Sequence, residues 1–322
     1  MTQMTTYKAH DWLKRLYHYF LFTKEGREAK KYLISRGIKE ETIKTFKIGY
    51  APKKSSFILK FLKAKGFSYN QLVSDNILRR SSNGKLSNIF RNRIVFPIQD
   101  YTGRTVAFGG RLINQTNTNM PKYINSPEST VFKKKDNLFG FDLAKEEIDN
   151  HGYAVLLEGY FDVIKAHQEG IKNVVASLGT ALTINQALLL KSLTNNVVIA
   201  YDGDESGMEN SFRAATVLDS VGCNVRIAHT NNQDPDEFIS QHGGKKYVDE
   251  VIKKSQDVKL TLIDYKKQNY NLKDAIERYE YTEKILNVIS KGTEDEEYKV
   301  LNRLEKVLGI SFETVEKVLV NN

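Results

Sequence analysis

Cysteine is almost absent from the 322-residue sequence, with Cys223 standing alone. A single thiol excludes an internal disulfide and every zinc site built on cysteine pairs. Histidine is scarce too. His10, His18, His151, His167, His229 and His242 are scattered without HxH or HExxH spacing, and none is assigned a catalytic role. No run of about 18 apolar residues occurs, and the N-terminus has no apolar signal core. Neither a membrane span nor export is therefore indicated, and a cytoplasmic location is expected. With sulfur and imidazole removed as ligands, any bound metal must be held by oxygen, which suits magnesium or manganese.

The chain is long for one domain, so two or three substructures with at least one substantial core are expected. Its net charge of +9 conceals an asymmetry. Residues 1–135 carry 27 Lys and Arg against 8 Asp and Glu, whereas residues 136–322 carry 21 against 31. A basic half joined to an acidic one is what an enzyme that polymerises or cleaves nucleic acid needs: one part holds phosphates and the other holds cations. A lysine-rich solvated surface is the plainer account of the same charge.

Apolar residues recur at helical spacing from Tyr7 to about Gly37, and the pattern predicts two amphipathic helices, then short helices over Glu40–Phe46, Phe57–Lys65 and Tyr69–Asn76. Arg93–Gln99 and Thr105–Arg111 read as a β-hairpin across the turn-rich DYTGR. From Gly152 strands and helices alternate regularly, which argues for a parallel sheet with right-handed crossovers. From about Lys245 the chain reads as three or four charged helices, the last over GISFETVEKVL, with an apolar stripe at Leu260, Leu262, Ile263, Ile276, Ile285, Leu286 and Ile289. The expected division is a basic α+β subdomain over 1–133, a central α/β domain over 134–245 and a C-terminal helical bundle over 246–322.

Three strands of the central domain run out into carboxylates. AVLLEGYFD ends in Glu158 and Asp162, NVVIAYDGD in Asp202 and Asp204, and NVRIAHT leads to DPDEF with Asp234 and Asp236. Ligands of such sheets sit at the carboxyl ends of strands. Carboxylates gathered there repel one another by several kcal/mol unless protonated or neutralised, and divalent cations are the ordinary remedy. Two such ions could activate a 3′-hydroxyl and hold a leaving pyrophosphate. Glu158, at a strand end rather than in a DxD pair, is the candidate base or activator. Other readings stay open: Asp162 in a first helical turn is favoured by the helix dipole, and Asp234-Pro235-Asp236 makes a good helix N-terminus by itself.

The basic half offers Arg36, Arg91, Arg93, Arg111, Lys122 and Lys133 to Lys135 as phosphate contacts. Lys122-Tyr123 sets a cation beside an aromatic ring, a combination that tracks a single strand through phosphate contact and base stacking.

Together these motifs resemble the catalytic core of DnaG-type bacterial primases, built around the topoisomerase-primase (Toprim) domain. The generic Toprim signature is Glu158 with Asp202-Gly203-Asp204. Primase-specific matches are RNRIVFPI from Arg91, FGGR from Phe108, PKYINSPES from Pro121, EGYFDVI from Glu158, ASLGT from Ala176, YDGDESG from Tyr201 and DPDEF from Asp234. The resemblance implies an α/β Toprim fold, a parallel sheet flanked by helices. It implies that Glu158, Asp162, Asp202, Asp204, Asp234 and Asp236 form the metal site, for two or more Mg²⁺ or Mn²⁺ ions and no zinc. It further implies that Arg36, Arg111, Lys122, Tyr123, Asn125 and Lys134 line the template and nucleotide groove. The activity implied is RNA primer synthesis from ribonucleoside triphosphates on single-stranded DNA, giving an RNA–DNA hybrid at the replication fork, with the replicative helicase as a partner. The family also has an N-terminal zinc-binding domain and a C-terminal helicase-binding domain. Ligands for the first and length for both are missing here, so an isolated polymerase core is expected. Two alternatives share the acidic signature: a Toprim nuclease or topoisomerase-like enzyme, revealed by nicking or supercoil relaxation with metal alone, and a non-catalytic Toprim DNA-binding module, which would not need the acids.

Overall fold

The computed structural model describes residues 3–113, 120–179, 181–230, 233–289 and 294–311. Helix α1 (Gln3–Leu21) buries Ala9, Leu13, Leu16, Tyr17 and Phe20 on one face, the stripe its spacing predicts. It lies across strand β1 (Gly49–Ala51) so closely that a Cβ on Gly49 would meet the Tyr17 backbone at 2.5 Å. Helix α2 (Arg27–Ser35) stops at Gly37, whose φ of +72° strains any residue with a Cβ. Helices α3 (Glu40–Thr45), α4 (Ser56–Ala64) and α5 (Tyr69–Ser74) follow where the sequence predicts them.

A small antiparallel pair, β2 (Leu78–Arg80) with β3 (Leu86–Asn88), precedes the predicted hairpin of β4 (Arg93–Gln99) and β5 (Thr105–Leu112). With β6 (Tyr123–Asn125) these make an antiparallel sheet in the order β1-β4-β5-β6. Strands β1, β2, β3 and β6 are three residues each, too short to show alternation, so periodicity does not reveal them. Strand β4 is buried from Arg93 to Ile98 and tolerates Pro97 because β1 pairs only as far as Val95. Beyond that point the missing N–H breaks no ladder bond on that side.

Helix α6 (Phe141–His151) leads into the second sheet: β7 (Ala154–Leu157), α7 (Tyr160–Gln168), β8 (Val174–Ala176), α8 (Ile184–Lys191), β9 (Asn196–Ile199), α9 (Glu205–Ser220) and β10 (Asn224–Ile227). The order is β11-β10-β9-β7-β8, with every pair parallel except β10 and the two-residue edge strand β11 (Gln256–Asp257), which the sequence reading did not anticipate. Between them lie α10 (Pro235–His242), α11 (Gly244–Tyr247) and a π-helical turn over Val248–Ile252.

The two faces of this sheet divide by the strand period of two. Val155, Leu157, Val174, Ala176 and Val198 belong to a core that continues through β4, β5 and α1. Ala154, Leu156, Val175, Val197 and Ile199 pack beneath α6, α8 and α9. One apolar core therefore runs across the expected division near residue 134. Phe96 of β4 stacks on Tyr160 of α7 at 5.0 Å, and a Cβ on Gly109 would come within 2.4 Å of that tyrosine ring. Gly109→Ala is expected to lower stability by about 1–3 kcal/mol through overpacking, measured by denaturant unfolding.

Helices α12 (Val258–Lys267), α13 (Ala275–Ile289) and α14 (Glu294–Leu308) enclose Ile263, Tyr281, Ile285, Val300 and Leu304. Arg303 grips Asp264 through Nε at 2.9 Å and Nη2 at 2.5 Å. The expected apolar stripe holds for Ile263 and Ile285, but Ile276 is 71% exposed, because the first turn of α13 lies outside this cluster. The predicted final helix over GISFETVEKVL falls almost wholly outside the described residues.

Candidate active site

Parallel β7, β9 and β10 are neighbours, so their carboxyl ends deliver the acids side by side: Glu158 after β7, Asp202 and Asp204 after β9, and Asp234 and Asp236 at the start of α10. Asp162, in the first turn of α7, is buried at 8% exposure. Its Oδ2 accepts from the Gly159 N–H at 2.9 Å, and the Asp236 backbone N–H also favours its anion. Asp162 thus supports the start of α7 while its carboxylate stays close to those of Asp236 and Asp234. Asp204 caps α9, accepting from the Gly207 N–H at 2.7 Å. Asp234 sits at the N-cap of α10 ahead of Pro235, yet its side chain makes no capping hydrogen bond. The capping account of Asp234 therefore explains its backbone and leaves its carboxylate free for the site. Asp236 is ion-paired with the Arg36 guanidinium.

The acids act on one another. Burial, then the charges of Asp162, Glu158, Asp234 and Asp204, push Asp202 up to about 8. Burial and the Asp236 and Asp234 charges push Asp162 up to about 7 against the two backbone N–H groups that favour its anion. Glu158 and Asp234 also lie above their ordinary range, chiefly through burial; for Glu158 the Asp204 charge adds to it, and for Asp234 the Asp236 charge. Oε1 of Glu158 is buried without a hydrogen-bond partner. Among the described residues no three acids, histidines or cysteines converge tightly enough to grip an ion as placed. The donor set nevertheless fits a hard divalent cation: it is all oxygen, has an orphaned buried acceptor and holds four carboxylates that burial, with like charge added, lifts from their usual range.

This coupling has a measurable sign. The folded chain keeps protons on Asp162 and Asp202 that the unfolded chain releases near the ordinary value of 3.8. The associated stability is present below about pH 4 and is lost as pH rises through about 7 to 8. His10 and His167, lowered to about 4 by burial, act in the opposite sense. In Asp202→Asn they are unchanged, so they cancel in a comparison. Without metal, the Tm of wild type relative to Asp202→Asn is expected to fall between pH 5 and about pH 8 and to level off above it.

The cationic candidates divide into two groups. Arg111 lies over the rings of Tyr32, Tyr123 and Phe161 at 4.9, 5.1 and 5.4 Å and donates to the Tyr123 hydroxyl at 2.5 Å. Arg36 covers the same Phe161 at 5.0 Å. Since Arg36 also holds Asp236, this guanidinium–aromatic surface abuts the acidic site. Tyr123 is 38% exposed, and Lys122 and Arg91 are exposed. Lys134, half-buried on a single 3-10 turn (Lys134–Asp136), has its carbonyl fastened by Gln186 at 3.1 Å. Tyr32 and Phe161 were missed as members of this surface, although YLISRG and EGYFDVI contain them.

Arg93 does not reach phosphate. It is 1% exposed, and its guanidinium donates to the carbonyls of Gly110 and Lys122 at 3.1 Å and of Pro121 at 2.8 Å, bracing the segment that presents Lys122 and Tyr123. The expected groove contact is replaced by a structural one because β4 is interior at that point. Asn125 is similarly engaged: it donates to the Leu178 carbonyl at 2.6 Å and accepts from the Tyr160 hydroxyl at 2.5 Å, joining the two sheets.

Residues 16–145 match the family described as DNA primase catalytic core, N-terminal domain, and residues 155–239 match the Toprim-like family. The sequence is 40% identical to a DNA primase of Geobacillus stearothermophilus over 286 residues, covering 88% of this chain and 47% of that protein. The chain thus spans about half the length of the curated relatives it matches. The crystal structure of the Aquifex aeolicus primase, zinc-binding and RNA polymerase domains, is 36% identical with a TM-score of 0.78, covering 96% of this chain and 74% of that one. A DnaG primase catalytic domain bound to ssDNA is 29% identical with a TM-score of 0.80, covering 96% and 97%.

Proposed function

Because the chain belongs to the DNA primase family, as a catalytic core with a Toprim domain, we propose that it synthesises short RNA primers from ribonucleoside triphosphates on a single-stranded DNA template. Residues 1–133 then serve as the template-binding subdomain, 134–245 as the catalytic domain and 246–322 as a helical bundle. The observation that carries the reading is the Arg36–Asp236 pair, which joins the guanidinium–aromatic surface to the strand-end acids. A site for polymerisation needs phosphate recognition and cation binding in contact, and this pair supplies the contact.

Glu158, Asp162, Asp202, Asp204, Asp234 and Asp236 would hold two or more magnesium or manganese ions. Bound there, such ions would polarise an attacking 3′-hydroxyl and offset the charge of the triphosphate. The guanidinium of Arg111, held among three aromatic rings, offers a planar fork that suits phosphate oxygens. Tyr123 offers an exposed ring for base stacking beside the Lys122 cation. Arg36 would exchange Asp236 for a nucleotide phosphate, releasing that carboxylate toward a cation. The replicative helicase and the RNA–DNA hybrid product are the partners this role implies, and the cytoplasmic replication fork is its location.

The test incubates the purified protein with ribonucleoside triphosphates, a single-stranded DNA template and Mn²⁺ or Mg²⁺. Short RNA that depends on both template and metal is expected. Nicking or relaxation of supercoiled DNA with metal alone would point instead to a Toprim nuclease or topoisomerase.

A further inference from the structure

Lys165 is only 7% exposed, and a lysine is rarely buried without a partner. Its ammonium donates to the Gly37 carbonyl at 3.3 Å, and Nε2 of Gln168 donates to the same oxygen at 3.0 Å. Gln168 also holds the far side of that turn: its Oε1 accepts from the Lys39 N–H at 2.7 Å and from the Thr42 hydroxyl at 3.0 Å. Gly37 closes α2 in the left-handed conformation, with the Ile38 N–H returning to the Leu33 carbonyl at 3.0 Å. The carbonyl of Gly37 lies past the end of α2 and is taken up by α7. Arg36 is the residue just before this clamped glycine. Its side chain is 37% exposed, so packing alone does not fix it, yet its guanidinium pairs with Asp236 and lies over the Phe161 ring at 5.0 Å. Phe161, Lys165 and Gln168 fall at i, i+4 and i+7 of α7, the spacing of one helix face. One stripe of α7 thus supports the Arg36 guanidinium in its first turn and, farther along, holds the peptide that follows Arg36. The same helix carries Asp162.

We infer that Lys165 and Gln168 are positioning residues for Arg36: by clamping the turn at Gly37–Lys39 to α7, they hold the Arg36 guanidinium at the edge of the acidic site, ready for a phosphate of the incoming ribonucleoside triphosphate. The inference rests on the phosphate role proposed for Arg36 and adds the two residues that set its place. Among the described residues neither side chain hydrogen-bonds to the six acids of the site, so both act through the turn. Two donors meet on the one Gly37 oxygen and occupy both of its lone pairs, which leaves the turn little freedom to rotate. A long arginine that must be ordered on binding loses affinity to that ordering, and a base fixed in advance reduces the loss. Because α7 anchors both Arg36 and Asp162, the phosphate-binding cation and the acids keep one spacing.

The experiment measures KM for ribonucleoside triphosphate and kcat of primer synthesis in wild type, Gln168→Ala, Lys165→Met, Arg36→Ala and the doubles that combine each clamp substitution with Arg36→Ala. Tm is read on the same preparations. Gln168→Ala and Lys165→Met are each expected to raise KM about tenfold with kcat within about twofold of wild type, the pattern of a lost binding contact. In the Arg36→Ala background the same substitutions should add less than about twofold, because the residue they position is gone. Equal KM effects with and without Arg36 would overturn the inference and reduce the clamp to a stabilising contact. A lowered Tm with unchanged KM would do the same. Should buried Lys165→Met fail to fold, the half-buried Gln168 decides through its own single and double variants. Wild-type KM in Arg36→Ala would overturn the inference and leave primer synthesis standing, whereas a wild type that makes no primer would remove both readings together.

Discussion

Asp202→Asn is expected to bind single-stranded DNA as wild type does and to make no detectable primer, a loss of at least about a thousandfold in rate. Its carboxylate stands at the centre of the acidic array, feeling Asp162, Glu158, Asp234 and Asp204 together. The asparagine keeps the shape and removes the charge that would draw a cation. Lewis-acid stabilisation of a transferring phosphoryl group is worth several kcal/mol, and each 1.36 kcal/mol is tenfold in rate. The DNA-facing candidates Arg111, Lys122 and Tyr123 belong to the other sheet and keep their surroundings. Primer yield and DNA affinity, measured on one preparation, should therefore separate. A variant that still primes at the wild-type rate would remove Asp202 from the chemistry.

The second large effect is on stability. Arg93→Ala is expected to destabilise the protein by about 3–5 kcal/mol, while Arg91→Ala, two residues away and exposed, should leave unfolding within about 0.5 kcal/mol of wild type. Truncating Arg93 removes a guanidinium that serves three carbonyls and leaves a cavity between β5 and the segment leading into β6. Arg93→Lys should recover little, because one ammonium does not reproduce a planar fork directed at three acceptors. Equilibrium denaturation of the three variants distinguishes these outcomes. DNA affinity should fall in Arg91→Ala if it contacts phosphate, and in Arg93→Ala only in proportion to the unfolded fraction.

The two arginines also show where reading the sequence stops. RNRIVFPI places both in a basic stretch, and a count of charges treats them alike. Only the position of β4 between β1 and β5 makes one interior and the other exposed. The central sheet was legible because its strands are apolar runs that alternate regularly with helices, and because glycine and aspartate punctuate them where strands end. Strands β1, β2, β3, β6 and β11 were not legible. Their partners lie far along the chain, and pairing rather than local preference makes them strands.

The sequence by itself determined which acids gather, since a parallel sheet brings its strand ends to one edge whatever surrounds it. It also made oxygen the expected ligand of any bound metal, through the near absence of cysteine and of paired histidines. Tertiary structure alone decided how those groups are held. It joined Asp236 to Arg36 across the boundary between the basic and acidic halves and set Arg111 among three aromatic rings. The reason is physical: a strand's direction is a local property of the chain, whereas the burial and charge coupling that set a side chain's proton and partner come from residues remote in sequence.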